Sequence, residues 1–294
     1  MHANQPFEQA DLSNDDQSSV IGEYSASEID DSSAATDAYR MPTAVESKQV
    51  ASKQAAASTK QARAVEANLR RARMRIFNPV WEVDNLQWPP VCLELLEEMT
   101  NNMSRVAQNL MTACEEGLQI LAVTSPQSGE GSTTVACCLA LLAGTHGLNV
   151  AIVDGDIENP SLSHQTNLEV DQDWRIAILD QLPLEEIAVH SINDQVTLVP
   201  LLSPIGQNEM SSDDDRIASM LQELSESFDL VVVDMGTMNS ARNLVQTMGE
   251  QGLINAAVAV VDYRSSTPQR IEDCLRRIRQ AGIASIGLVE NFAA

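Results

Sequence analysis

A short glycine-rich segment between an apolar stretch and a helix-forming stretch constrains this chain more than any other feature. It reads LAVTSPQSGEGSTT over residues 121–134, an order that predicts a buried strand, a loop and the start of a helix. Such a loop turns backbone N–H groups toward an anion at the positive end of the helix dipole. The segment therefore predicts a phosphate-binding loop in a fold of alternating strands and helices.

The loop lacks the lysine on which phosphate loops of the pattern G-x-x-x-x-G-K-[ST] depend. Gly131 and Thr133 fit the pattern, but Pro126 replaces its first glycine and Ser132 replaces its lysine. No later lysine can substitute, because the last one in the chain is Lys60. Since losing one cation beside a transferring phosphate costs roughly a factor of 10²–10³ in rate, efficient ATP turnover is not expected.

Apolar strands alternate with helices from residue 91 onward. Most of the strands are uniformly apolar, as expected when helices cover both faces of a parallel sheet. The predicted strands are 119–124, 150–154, 196–201, 230–234, 256–261 and 285–289, and the predicted helices are 91–117, 132–146, 213–227 and 267–281. This pattern predicts an α/β fold with a doubly wound, mostly parallel sheet, similar to P-loop NTPases.

Aspartates follow two of the predicted strands. Asp154 and Asp156 end the strand 150–154, and Asp234 ends the strand 230–234. Because the carboxyl ends of parallel strands meet at one sheet edge, we expect these carboxylates to lie near the Thr133 hydroxyl. Hydroxyl and carboxylate oxygens are suitable ligands for Mg²⁺.

Taken together, these motifs resemble the deviant Walker ATPases of bacteria (MinD/ParA-like), nearest to the cytoplasmic domains of tyrosine kinases and exopolysaccharide chain-length regulators. The resemblance covers roughly residues 93–291 and rests on Gly129-Glu130-Gly131 with Thr133-Thr134, Asp154-Gly155-Asp156 with Pro160-Ser161, Phe228-Asp229 with Asp234, and Gly287 through Asn291. It implies a nucleotide-binding set of Ser128, Gly129, Glu130, Gly131, Ser132, Thr133 and Thr134. It also implies Mg²⁺ ligation by Thr133, Asp154, Asp156 and Asp234, and a catalytic role for Asp156.

The chain departs from this family's pattern at several positions. Glu158 stands where the family has an arginine after the paired aspartates, and residues 235–237 replace its x-Pro-Pro. The tyrosines are Tyr24, Tyr39 and Tyr263, so the autophosphorylated tyrosine cluster of the kinases is missing. These departures, with the missing lysine, indicate a degenerate site that binds Mg-ATP or Mg-ADP weakly if at all.

Three functions are open at this point. The first is a pseudokinase-like nucleotide-binding protein that regulates exopolysaccharide or capsule synthesis or export. The second is an active ATPase or tyrosine kinase in which an arginine, Arg242 or Arg264, replaces the lysine. The third is an adaptor that binds no nucleotide. The partners implied are a membrane polysaccharide co-polymerase or export protein, a homologous active kinase, or further copies of the chain.

The region before residue 91 divides by charge and composition. Residues 1–47 carry ten acidic residues against one arginine and predict a disordered acidic tail. Residues 48–77 carry eight basic residues against one glutamate and predict a basic helix or linker, for which docking on an acidic surface is one interpretation. Residues 78–90 contain two tryptophans among prolines and predict a strap at a domain edge. Residues 91–294 form the predicted P-loop domain.

Charge and cysteine content exclude some classes of function. Residues 77–294 carry 31 acidic residues and nine arginines, which argues against nucleic acid as a partner. The cysteines show no C-x-x-C spacing, so we expect reduced, buried thiols. Without a secretion signal or an apolar run long enough to span a bilayer, the chain is expected in the cytoplasm, peripheral to the inner membrane through a partner.

Overall fold

The computed structural model describes residues 74–98, 100–205, 214–238 and 242–291, together with Val65, Leu69 and Ala72. The predicted acidic tail, most of the basic segment 48–77 and Asp213 lie outside the described residues, as does the side chain of Arg242. Within the described part, no helix is long and apolar enough to cross a membrane.

Eight strands form one sheet. They are β1 (Trp81–Val83), β2 (Ile120–Ser125), β3 (Val150–Asp154), β4 (Val189–Ser191), β5 (Val196–Val199), β6 (Leu230–Thr237), β7 (Ala256–Val261) and β8 (Ser285–Glu290). Their order in the sheet is β1-β4-β5-β3-β6-β2-β7-β8, and every pair is parallel except β4 with β5. The predicted doubly wound, mostly parallel sheet is confirmed.

Eight α-helices accompany the sheet in the described residues. They are α1 (Pro90–Glu98), α2 (Thr100–Glu115), α3 (Ser132–Thr145), α4 (Leu162–Gln165), α5 (Trp174–Asp180), α6 (Asp214–Ser227), α7 (Arg242–Glu250) and α8 (Pro268–Gln280). The single helix predicted over residues 91–117 is thus two helices. The helices α4, α5 and α7 were not predicted, because each has nine residues or fewer and offers too short a window for apolar periodicity to be recognised.

The core has two parts, one on each face of the sheet. Along β2, Ile120 and Ala122 pack in one buried cluster, whereas Leu121 and Val123 pack in the other. This alternation within a uniformly apolar strand is the geometry expected when helices cover both faces. All five cysteines are buried.

The segment before α1 adds a strand to one end of the sheet. β1 pairs with β4 in parallel, and the Trp81 indole N–H donates to the Glu186 carbonyl at 3.0 Å. Further along, Trp88 is buried against the second cluster, and the Asp194 carboxylate accepts the Leu86 N–H at 2.9 Å. Residues 80–88 are therefore held to the domain by backbone pairing and by one buried carboxylate.

Candidate functional site

The loop between β2 and α3 has the backbone geometry of an anion cradle. Gly129 and Gly131 adopt positive φ angles of 85° and 91°, which other residues adopt at a cost. Gly131 is the N-cap of α3, and no side chain caps this helix start. A Cβ on residue 131 would also overlap the Asn291 side-chain amide, so the φ angle favours glycine and the present position of Asn291 depends on it.

The first turn of α3 leaves backbone donors at the loop. The helical hydrogen bonds begin with the Val135 N–H, which donates to the Gly131 carbonyl at 2.9 Å. The preceding N–H groups have no intrahelical acceptor, and they lie at the positive end of a 14-residue helix. Ser132 is buried and neutral where phosphate loops carry their lysine. The loop therefore offers an anion backbone donors and no ammonium group.

Glu130 fixes the loop in place. Its carboxylate accepts the Gln127 N–H at 3.1 Å and the Ser265 hydroxyl at 3.2 Å, and its carbonyl accepts the Asn291 amide at 2.8 Å. The side chain of this predicted nucleotide-binding residue thus joins the loop to the segment after β7, and its backbone carbonyl joins the loop to the end of β8. Its sequence neighbours give no signal of this role, because Ser265 and Asn291 lie more than 130 residues away.

Asp154 is fully buried at the end of β3 and is surrounded by backbone donors. One carboxylate oxygen accepts the Asp156 N–H at 3.3 Å, and the other accepts the N–H groups of Ser161 and Leu162, each at 2.9 Å. Burial raises the pKa of Asp154 to about 8, and the nearby Asp234 charge adds to this rise. These bonds position the start of α4, and a direct role in binding Mg²⁺ stays a prediction.

Asp234 lies on β6 and pairs in register with Asp154 at the end of the neighbouring strand β3. Its Oδ1 accepts the Gly236 N–H at 3.2 Å, whereas its Oδ2 is buried without a hydrogen-bonding partner of ordinary geometry. Burial raises the pKa of Asp234 to about 6, while the nearby Thr133 hydroxyl and the Gly236 N–H act in the opposite direction. An unpartnered buried carboxylate oxygen beside a threonine hydroxyl suits a hard divalent cation.

Asp156 lies at the same sheet edge, against the backbone of Gly236. Its Oδ1 accepts the N–H groups of Glu158 and Asn159 at 3.2 and 3.0 Å, and a Cβ on residue 236 would overlap its carboxylate. Burial raises the pKa of Asp156, and the Glu158 charge adds to this rise. The structure thus brings Asp154, Asp156, Asp234 and Thr133 to one place, as the strand ends predicted.

These side chains alone do not form a complete metal site. Among the described residues, no group of three His, Cys, Asp or Glu side chains has the arrangement needed to hold a metal ion. Mg²⁺ in nucleotide sites commonly binds one or two carboxylates and completes its shell with phosphate oxygens and water. The residues present fit that mode, in which Asp234 and Thr133 would hold the ion.

Several arginines that follow β7 in the sequence lie near the loop. Arg264, an expected replacement for the lysine, instead binds the Asp262 carboxylate through Nε and NH2, each at 2.9 Å. Arg270 donates to the Gln127 side-chain oxygen at 2.5 Å, and with Arg277 it lines a cavity of about 240 Å³ beside Pro126. Sequence reasoning missed Arg270 and Arg277, although their spacing of seven residues places them on one face of the predicted helix.

The amino-acid sequence is similar to one protein family and to several curated proteins. The family model described as cellulose biosynthesis protein BcsQ matches residues 118–271, slightly more than half of the chain. An iron-sulfur cluster carrier protein of Haemophilus influenzae is 28% identical over 185 residues, covering 59% of this chain and 46% of its own length. A putative tyrosine-protein kinase CapB of Staphylococcus aureus is 21% identical over 191 residues, covering 63% of this chain and 81% of its own length.

Solved structures share the fold at low sequence identity. The chimerical protein CapA2B2 superposes with a TM-score of 0.58 at 19% identity, covering 75% of this chain and 95% of that one. The kinase domain of the Escherichia coli tyrosine kinase ETK gives 0.56 at 20% identity, covering 65% and 76%. The chain spans about half the length of several curated relatives that it matches.

Proposed function

Since this chain belongs to the family of cellulose biosynthesis protein BcsQ, we propose that it regulates the synthesis or export of an exopolysaccharide, with cellulose as the first candidate. It does so with the fold of a P-loop ATPase and with little or no ATP turnover. One observation supports the proposed lack of ATP turnover. The loop at the start of α3 provides backbone donors, whereas the Ser132 side chain is uncharged and much shorter than the lysine of other phosphate loops.

The groups around the loop explain how the site would bind a nucleotide and yet hydrolyse little or none of it. Backbone N–H groups and the Thr133 hydroxyl can hold phosphates, and a bound Mg²⁺ would supply positive charge beside them. Phosphoryl transfer needs further cations at the γ-phosphate, because its transition state spreads negative charge over three oxygens. In the described structure, the side chains around this edge are instead carboxylates: Asp154, Asp156 and Asp234.

Restoring the lysine tests the proposal. Binding of a non-hydrolysable ATP analogue with Mg²⁺ and ATP hydrolysis would be measured for the unmodified chain and for Ser132→Lys. We expect weak binding and negligible hydrolysis without the lysine, and at least tenfold tighter binding with it. Ser219→Lys is the matched control, because it makes the same substitution at an exposed serine of α6, outside the loop. If the unmodified chain hydrolysed ATP rapidly and Ser132→Lys did not increase this rate, the proposed lack of catalytic activity would be wrong.

A second candidate, an active ATPase or tyrosine kinase, is favoured by the contact between Arg270 and Gln127. In this version Arg270 would leave Gln127 and reach the nucleotide phosphates. It predicts that Arg270→Gln abolishes hydrolysis, whereas Arg276→Gln, at an exposed ion pair on the same helix, does not. Equal rates in the two variants would remove the mechanism of this candidate.

The partners of the proposed regulator follow from the family rather than from the fold. A membrane polysaccharide co-polymerase or export protein, or an active kinase of the same fold, would receive its signal, which would place it at the inner membrane surface. Association with further copies of itself is compatible with this role. Co-purification of such a membrane protein with the tagged full chain, and its loss with Asp234→Ala, would connect the site to the partner.

A further inference from the structure

An acidic groove runs along the outer edge of the sheet, away from the loop at α3. It has a volume of about 740 Å³ and is lined by residues 80–83, 168–172 and part of 186–189. β1 forms one wall and is the terminal strand of the described sheet, so one of its edges has no neighbouring strand there. The groove thus combines an open strand edge with a cavity of this size.

The lining of this groove has a distinctive composition. Its charged residues among the described part of the chain are all acidic and exposed: Glu82, Glu169, Asp171 and Glu186. Between them lie Val80 and Trp81, whose exposed fractions of 64% and 60% are high for large apolar residues. Carboxylates around an exposed indole face suit a basic segment with some apolar side chains, since arginine and lysine both pair with carboxylates and stack on tryptophan.

The same chain carries a segment of this composition directly before the groove. Residues 53–73 contain six basic residues and one glutamate. Within them, Val65 and Leu69 have helical backbone, lie four positions apart and are about half exposed. Two side chains at this spacing share a helix face, so the segment presents apolar groups together with its positive charge.

The end of the basic segment already contacts acidic residues. Arg75 forms an ion pair with Glu223 at 3.2 Å, and its N–H donates to the Glu226 carbonyl at 3.2 Å. Five residues later, Val80 enters the groove wall with its N–H bonded to the Glu185 carbonyl. A tether of this length keeps residues 53–73 at an effective concentration in roughly the millimolar range beside the groove.

We propose that residues 53–73 dock in the acidic groove beside β1 of the same molecule, with Val65 and Leu69 against its apolar strip and the basic residues beside its four carboxylates. A second copy's compact part is a poor occupant, because residues 77–294 carry 31 acidic residues against nine arginines and repel one another. The docking covers Trp81 and is independent of nucleotide binding at the loop.

The distribution of lysines makes the proposal directly testable by carbodiimide cross-linking, which joins amines to carboxylates. The chain has lysines only at positions 48, 53 and 60, and no lysine in the folded domain competes. In the full-length monomer at low salt, we expect Lys53 and Lys60 to cross-link to Glu82, Glu169, Asp171 or Glu186. A mixture of ¹⁴N- and ¹⁵N-labelled chains distinguishes links within one molecule from links between two.

A pair of variants separates this groove from general attraction to an acidic surface. Glu169→Gln with Asp171→Asn should lower the remaining links to Glu82 and Glu186 at least threefold, whereas Glu94→Gln with Glu98→Gln on α1 should leave them unchanged. At about 1 M salt the links should largely disappear, since screening then acts within about 3 Å. Links mainly to other carboxylates, links only between differently labelled chains, no links at all, or equal loss in both double variants would each overturn the proposal.

Discussion

The Asn291 side chain closes the loop over Gly131: its amide donates to the Glu130 carbonyl at 2.8 Å and occupies the space that a Cβ on residue 131 would need. The end of β8 is thereby fitted to the start of α3, although the two lie 160 residues apart. These contacts and the Glu130 bonds fix the conformation of the loop within the protein.

Gly131→Ala is expected to destabilise the protein by about 2 kcal/mol, because it combines a positive φ angle with a steric overlap. Asn291→Ala alone should cost about 1 kcal/mol for the lost hydrogen bond. In the double variant the overlap is relieved. The decrease in its free energy of unfolding should therefore be smaller than the sum of the decreases in the two single variants. Urea unfolding of the four proteins measures this coupling, and simple additivity would contradict the contact.

Asp194 is predicted to hold the segment 80–88 to the domain. Its buried carboxylate accepts the Leu86 N–H and the Ser191 hydroxyl, so Asp194→Ala removes the acceptor of Leu86 and leaves Ser191 only a long contact of 3.5 Å to the Asp84 carbonyl. We expect a loss of about 2 kcal/mol in unfolding free energy and a wetter environment for Trp88, visible as a red shift of its fluorescence. The control is Asp84→Ala, an exposed carboxylate on the same segment. Equal effects of the two variants would argue against this attachment.

The two aspartates at the sheet edge should make stability depend on pH. The pKa values of Asp154 and Asp234 are raised to about 8 and about 6 in the folded state, against 3.8 for the ordinary carboxyl. The folded protein therefore binds more protons than the unfolded chain between about pH 4 and pH 8, and its stability falls as pH rises through this range.

Asp234→Asn isolates one of these contributions. Relative to the unmodified chain, this variant should gain about 2 kcal/mol in unfolding free energy between pH 4 and pH 7, because its side chain no longer has to ionise in a buried place. Denaturant unfolding at a series of pH values measures the gain. Asp180→Asn, at an exposed position, should show no such gain. A constant difference at every pH would show that Asp234 does not titrate in this range.

Sequence patterns predicted which side chains meet at the sheet edge but not the contacts that hold the loop beside them. That Thr133, Asp154 and Asp234 converge follows from strand ends at one sheet edge, a rule that needs no knowledge of side-chain contacts. The bonds of Glu130 to Ser265 and Asn291 join segments more than 130 residues apart, and nothing in the local sequence encodes them. β1 was not predicted as a strand either, because it has only three residues and its partner β4, equally short, lies far away in the sequence.

Binding of a magnesium nucleotide, if the proposed function is right, should weaken as the solution becomes acidic. A cation at Asp234 Oδ2 must displace the proton that the carboxyl carries below its pKa of about 6. The apparent affinity for a Mg²⁺-bound ATP analogue should therefore fall close to tenfold for each pH unit below 6 and level off above it. Calorimetric titration between pH 5 and pH 8 with and without Mg²⁺ measures this. Without Mg²⁺ the pH dependence should be smaller, because only the terminal phosphate of the nucleotide then titrates and no cation competes with the proton on Asp234. If the two curves had equal slopes, Asp234 would not be the group that receives the cation.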